Sequence, residues 1–138
     1  MKILHQANID ALSDLDSLID DLKSYFSFGK SYGLIGNLGA GKTTFTRLLM
    51  KKLGSDEQVS SPSYVLQHEY KAPGGMIEHW DLYRLSALPI ELAEPVAAGT
   101  IRIIEWADKF EECMSDLDYV LKIELISEQT RSFTFAQT

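Results

Sequence analysis

Long apolar runs are missing from this 138-residue chain, and so is any excess of positive charge. No stretch approaches the ~20 apolar residues that a membrane-spanning helix needs. The start, MKILHQANIDALSD, carries an apolar pair followed by polar residues and acids, not the apolar core of a secretory leader. A cytosolic protein without a membrane partner is expected. Thirteen Lys and Arg against 20 Asp and Glu leave a net charge of −7, which opposes the phosphate contacts that dominate nucleic-acid affinity. The densest basic stretch, RLLMKKLG, reads as the exposed side of a helix. A single cysteine, Cys113, excludes an internal disulfide, cannot alone build a zinc site, and is expected to be inert.

Other absences concern chemistry. No N-K-x-D stretch is present to select guanine, and no L-S-G-G-Q-like segment to mark a transporter ATPase. Arginine is scarce: Arg47, Arg84, Arg102 and Arg131 are widely dispersed, unlike the arginine-bearing lid of a nucleotide kinase. No repeat, low-complexity tract or linker divides the chain, so one domain over 1–138 is expected.

What is present is a glycine loop, GNLGAGKTT, at 36–44. Gly36, Gly41, Lys42 and Thr43 complete the pattern G-x-x-x-x-G-K-[ST]. Glycines let backbone N–H groups turn inward as an anion nest, and a following helix aims its positive end at the phosphates. Leu38, Gly39, Ala40, Gly41, Lys42, Thr43 and Thr44 are expected to wrap ATP or ADP. Lys42 would reach the β and γ phosphates, the Thr43 hydroxyl would ligate Mg²⁺, and Thr44 would add a bond to an α phosphate oxygen.

The surroundings suit that role. GKSYGLIG reads as a short strand entering the loop, and KTTFTRLLMKKLG as the helix leaving it, with Gly54 as its stop. Upstream, NIDALSDLDSLIDDLKSYF spaces Leu12, Leu15, Leu18, Ile19 and Leu22 by threes and fours, predicting an amphipathic helix capped by Asn8 or Asp10. SYVLQHEY and MIEHWDLY flank KAPGG as a hairpin. The two-residue period of a strand puts His79, Asp81 and Tyr83 on one face, with Trp80 and Leu82 on the other.

SALPIELAEPVAAG reads as a helix broken by prolines, IRIIEW as an apolar strand ending in an acid, and ADKFEECM as one or two helical turns. DYVLKIELIS and RSFTFAQ read as closing strands around a turn at Glu128 and Gln129. The alternation predicts an α/β single-domain P-loop NTPase fold, with a mixed, partly parallel sheet flanked by helices.

Hydrolysis needs metal support and an oriented water beyond the phosphate cradle. Glu105, at the end of IRIIE, would reach the sheet edge where open α/β folds bind ligands. Asp81 is the second candidate acid. These two with Lys42 form the expected catalytic set, and Thr43, Glu105 and Asp81 the metal set. Arg84 pairs with an acid, lines the phosphate site or lies on the surface; the sequence leaves all three open. His79 reads as a hydrogen-bonded structural residue rather than a proton shuttle. Trp106 would pack beside Glu105. The adenine-gripping residues are not specified, with Asn8 to Ser13 as the candidate segment.

Taken together, GNLGAGKTT, SSPSY, HWDLYRL and IEW occur in an order and spacing that resembles the TsaE family, bacterial ATPases of tRNA threonylcarbamoyladenosine biosynthesis. The likeness spans roughly Gly33 to Trp106, and its specificity lies in the combination rather than the loop. It implies an ATPase, slow without partners, that joins TsaB and TsaD, meets tRNA only through that complex, and supports threonylcarbamoyl transfer without performing it. It also implies that Ser63 stands near the γ phosphate where the family usually has Thr, that Trp106 is functional, and that Arg131 lies near the nucleotide. Members often continue past the last strands, where this chain stops at Thr138. Two other functions fit the loop itself: a small-molecule kinase, and a nucleotide-dependent binding module without useful catalysis.

Overall fold

The computed structural model describes residues 1–37, 39–56 and 67–138. The segment SSPSY and the first residues of SYVLQHEY fall outside them. In chain order the elements are β1 (Lys2–Ile9), α1 (Leu12–Leu22), β2 (Lys30–Ile35), α2 (Lys42–Lys52), β3 (Gln67–Ala72), β4 (Gly75–Asp81), β5 (Thr100–Glu105), α3 (Glu111–Ser115), β6 (Tyr119–Leu125) and β7 (Arg131–Gln137). The seven strands form one sheet in the order β1-β7-β6-β2-β5-β4-β3.

Its centre is parallel, because β2 runs alongside both β5 and β6, and β5 alongside β4. Its flanks are antiparallel hairpins, β3 with β4 on one side and β6 with β7 and β1 on the other. The expected mixed sheet is therefore present. It has a polarity that matters for function, since the parallel strands all deliver their C-terminal ends to one edge.

Two apolar layers sandwich the sheet. On one face α1 supplies Leu15, Leu18, Ile19 and Leu22, and α2 supplies Phe45, Leu49 and Met50, against Tyr32, Leu34, Ile77, Ile101, Ile103, Leu121, Phe133 and Phe135. The helices fold this way because their apolar residues recur at steps of three and four, giving each a single greasy stripe. The opposite face carries a smaller cluster of Trp80, Leu82, Leu92, Ile104, Ala107, Cys113, Leu117 and Val120, roofed by short turns and α3. Alternation along β4 divides its side chains as the sequence predicts: Ile77 joins the first layer and Trp80 the second.

Several expectations change. The N-terminal segment, to which the sequence assigns no element before the helix, is a strand, β1. Its register runs from Lys2 opposite Gln137 to Ile9 opposite Arg131, with an irregularity between Ile3 and His5. Neither Asn8 nor Asp10 caps α1. Asn8 is paired with Ser132 inside the sheet, and the Asp10 carboxylate accepts the Thr130 hydroxyl at 2.5 Å. The helix starts instead at Ala11, whose N–H donates to the Asp14 carboxylate at 3.2 Å.

The segment 86–99 does not form a broken helix: only Ile90–Ala93 makes a 3₁₀ turn. Pro89 and Pro95 remove backbone donors and push their preceding residues toward extended backbone, so no longer helix survives between them. Tyr83 does not continue β4, which ends at Asp81.

The basic face of α2 is turned inward in part. Lys52 pairs with Asp16 at 3.1 Å and Asp20 at 2.9 Å, both on α1, so some of that charge serves helix–helix contact. Cys113 is buried, and burial pushes its thiol up to about 11, leaving it protonated and unreactive at neutral pH. Among the described residues no helix is long and apolar enough to cross a membrane.

Candidate functional site

Strand β2 ends at Ile35 and releases the chain into the glycine loop; the loop ends where α2 begins at Lys42. Gly36 comes so close to β6 that a Cβ there would sit 2.6 Å from the Ile123 carbonyl oxygen and 3.2 Å from the Ala40 side chain. Gly41, immediately before α2, holds φ at 109°, a conformation that glycine adopts at little cost. The first position thus needs glycine for space and the second for backbone freedom. Gly36→Ala is expected to cost about 1–3 kcal/mol, the usual penalty of overpacking a tight site. The denaturant midpoint measures that loss, and a matching fall in nucleotide affinity would place the strain in the loop.

Register then assembles the acids. Leu34 on β2 lies opposite Glu105 on β5, and Glu105 opposite Asp81 on β4. Both carboxylates therefore stand at the C-terminal edge that also carries the loop. This is the crevice where open α/β sheets place ligands.

The Thr43 hydroxyl lies 3.4 Å from each Glu105 carboxylate oxygen. Glu105 is buried, and its Oε2 is 2.5 Å from His79 Nε2. Asp81 is partly buried, with Oδ1 accepting the Tyr83 N–H at 3.0 Å. Burial, and then the neighbouring Glu105 charge, push the Asp81 carboxyl above its ordinary range, against the opposing pull of the Tyr83 N–H, His79 and Lys42.

Lys42 folds back into the loop. Its Nζ donates to the Gly36 carbonyl at 2.5 Å and the Asn37 carbonyl at 2.9 Å, and lies 4.4 Å from the Trp106 ring centre. Burial lowers the Lys42 ammonium below its ordinary range, while Glu105, Asp81 and Asp108 pull the other way. Trp106 takes a left-handed backbone, φ 61°, rare for a bulky residue. Its N–H donates to Leu34 at 3.1 Å, which ties the turn after β5 to the end of β2. Its ring meets Tyr83 at 4.7 Å. Trp106 thus covers Lys42 as well as flanking Glu105.

Arg131 opens β7 and reaches across to the loop. Its Nη2 donates to the Gly39 carbonyl at 3.3 Å, and its buried Nε has no partner among the described residues. These groups line a cleft of about 840 Å³ that also takes in Ile9 to Leu12, Thr44, Arg84 and Phe133. Two of the open alternatives narrow here. Arg84 lines the cleft, and of the segment Asn8 to Ser13 the residues Ile9 to Leu12 border it, apolar except for Asp10. Ala40 is buried beneath the loop, while Leu38 and Ser63 lie outside the described residues.

The donor set fits a magnesium nucleotide. A helix N-terminus, a lysine, and an arginine with an unmet buried donor all call for anionic oxygen. A hydroxyl facing the Glu105 carboxylate, with the Asp81 carboxylate opposite Glu105 on the next strand, calls for a hard cation. Among the described residues no group of three or more His, Cys, Asp and Glu could hold a metal by itself. Mg²⁺ keeps waters and takes substrate phosphate oxygens, so it needs only one or two protein oxygens.

Sequence reasoning missed two parts of this arrangement: the hydrogen bond from His79 to Glu105, and the placement of Tyr83 against Trp106. The first had a signal, since His79 shares a strand face with Asp81. The second had none, because it depends on the turn that Asp81 caps.

The family model described as threonylcarbamoyl adenosine biosynthesis protein TsaE matches residues 9–133. The chain is 33% identical over 147 aligned residues to the tRNA threonylcarbamoyladenosine biosynthesis protein TsaE of Haemophilus influenzae, covering 92% of each chain. To the protein of that name from Aquifex aeolicus it is 31% identical over 133 residues, covering 95% of each. Its fold is similar to the crystal structure of Bacillus subtilis YdiB, with a TM-score of 0.72 and 22% identity, over 99% of this chain and 88% of that one.

Proposed function

This chain belongs to the TsaE family, and from that premise we propose that it binds ATP with Mg²⁺ at residues 36–44 and hydrolyses it to ADP and phosphate. The hydrolysis supports threonylcarbamoyl modification of an adenosine beside the tRNA anticodon, in the cytoplasm, through the partner proteins TsaB and TsaD. One observation carries the reading: Glu105, placed by strand register, faces the Thr43 hydroxyl at the mouth of the glycine loop. That juxtaposition supports a metal beside the phosphates, which hydrolysis needs in addition to a phosphate cradle.

In this mechanism Lys42 leaves the Gly36 and Asn37 carbonyls and turns its ammonium to the β and γ phosphates. The N–H groups at the start of α2 and the Arg131 guanidinium hold the remaining phosphate charge. Thr43 and Glu105 would hold Mg²⁺, with Asp81 completing the acidic site. Bound there, Mg²⁺ would supply positive charge against the negative charge of the transferred phosphoryl oxygens. Trp106 and Tyr83 shield the site from bulk water, and the segment Ile9 to Leu12 provides an apolar wall for the base. No further covalent partner is required of the protein, because phosphoryl transfer depends on positioning and charge.

The acidic chain favours protein partners over bare tRNA. The test is a pull-down with TsaB and TsaD under ATP, ADP and no nucleotide, paired with turnover measurements. Capture that depends on nucleotide, with faster hydrolysis in the complex, is expected. Capture in no nucleotide state would remove the partner assignment.

A further inference from the structure

His79 is fully buried in the middle of β4, two residues before Asp81 on the same strand face. Its backbone is held from both sides, opposite His68 on β3 and opposite Ile103 on β5. The ring is therefore anchored on one of the more rigid positions of the sheet. Its Nε2 lies 2.5 Å from Glu105 Oε2, while Nδ1 has no partner among the described residues. The ring's polar contact is directed at one atom.

Glu105 needs such a contact. A buried carboxylate is costly unless hydrogen-bonded, and the other bonds it makes to side chains among the described residues are the 3.4 Å contacts with Thr43. Lys42 does not anchor it, since its ammonium bonds the Gly36 and Asn37 carbonyls. Without His79 the 3.4 Å contacts with Thr43 would be the side-chain bonds left to orient the carboxylate among the described residues.

Resting on the reading of Glu105 as the metal-facing acid, we infer that His79 is a positioning residue: its Nε2–H fixes Glu105 Oε2, so that the carboxylate meets Thr43 in one orientation. His79 touches neither phosphate nor reacting atoms. It acts through Glu105, as outer-shell donors orient the ligands of metal sites.

The test compares His79→Met and His79→Gln, side chains of similar size, of which only Gln can donate toward the place of Nε2. ADP affinity is measured for parent and variants with Mg²⁺ and with EDTA, alongside ATP turnover and thermal melting. The parent should bind ADP more tightly with Mg²⁺. His79→Met should lose that gain by about tenfold or more, the effect of deleting an outer-shell partner. Its affinity in EDTA should stay within about twofold, and kcat should fall more than KM rises. His79→Gln should recover most of the gain.

A folded His79→Met that keeps the full Mg²⁺ gain overturns the inference. So does a folded His79→Gln as impaired as His79→Met, because ring shape rather than the donor would then matter. If His79→Met does not fold, His79→Gln decides alone: a retained gain supports the inference and a lost gain overturns it. A parent chain showing no Mg²⁺ gain sinks the metal-facing reading of Glu105 and this inference with it. A gain indifferent to position 79 sinks the positioning role alone.

Discussion

Glu105→Ala is expected to lower ATP turnover by about two to three orders of magnitude, the scale lost when one preorganised group is removed from a transition-state site. ADP binding in EDTA should be nearly unchanged. The separation follows from geometry. Glu105 touches Thr43 and His79, while the groups proposed to bind phosphate belong to the loop, α2 and Arg131. A variant that bound nucleotide normally and hydrolysed it at the parent rate would refute the catalytic assignment. A parent chain with no Mg²⁺-dependent turnover, alone or with partners, would leave only nucleotide binding. The substitution also empties buried space and leaves the His79 ring without its partner, so thermal melting accompanies the turnover measurement and a stability loss of about 1–3 kcal/mol is expected.

Lys42→Ala should strike binding itself. Charge-assisted hydrogen bonds contribute about 1.5–3 kcal/mol each, which predicts a fall in ATP affinity of about 10- to 100-fold, with turnover falling at least as far. Calorimetry on the folded variant measures it.

Stability should move the other way. Burial lowers the Lys42 ammonium in the folded chain, so between its folded and unfolded values the unfolded chain binds more protons. Stability therefore rises with pH through that window, below the ordinary lysine range, and at neutral pH the buried charge is a burden. The nucleotide-free variant is expected to be at least as stable as the parent and to show a shallower rise toward alkaline pH. Denaturant titrations at several pH values compare the two curves. A markedly less stable variant would mean that the bonds to Gly36 and Asn37 support the fold more than the burial of charge opposes it.

The parts of the site written in local chemistry were legible before any coordinates. Glycines followed by Lys42 and Thr43 predict a loop between a strand and a helix, and the structure has that loop between β2 and α2. Glu105 was legible because an apolar strand ending in an acid carries that acid to a sheet edge. The strand–loop–helix order and both hairpins followed from turn residues and two-residue alternation, and together these gave the mixed α/β layering.

What escaped depended on distant partners. Strand β1 has little apolar alternation, with Ile3 60% exposed, and its hydrogen bonds come from β7 at the other end of the chain. The start of α1 was misplaced for the same reason, since Asn8 serves that sheet pairing. The segment 86–99 reads as a helix broken by prolines, but those prolines leave only a short 3₁₀ turn. His79 was correctly read as hydrogen-bonded, yet its partner could not be named until β4 and β5 were set side by side.

The pairing of β1 with β7 has a consequence for the order in which the molecule is made. During synthesis Lys2 to Ile9 leave the ribosome well over a hundred residues before their strand partner, Arg131 to Gln137. Contacts so distant in sequence form slowly, because a long loop must close before they repay its entropy. The cleft wall at Ile9 to Leu12 continues from β1, and Arg131 begins β7. A nascent chain could therefore complete the glycine loop and α2 well before it could close the cleft around a ligand. Nucleotide present during refolding should accordingly speed the final docking of these two ends rather than the earlier formation of the parallel centre.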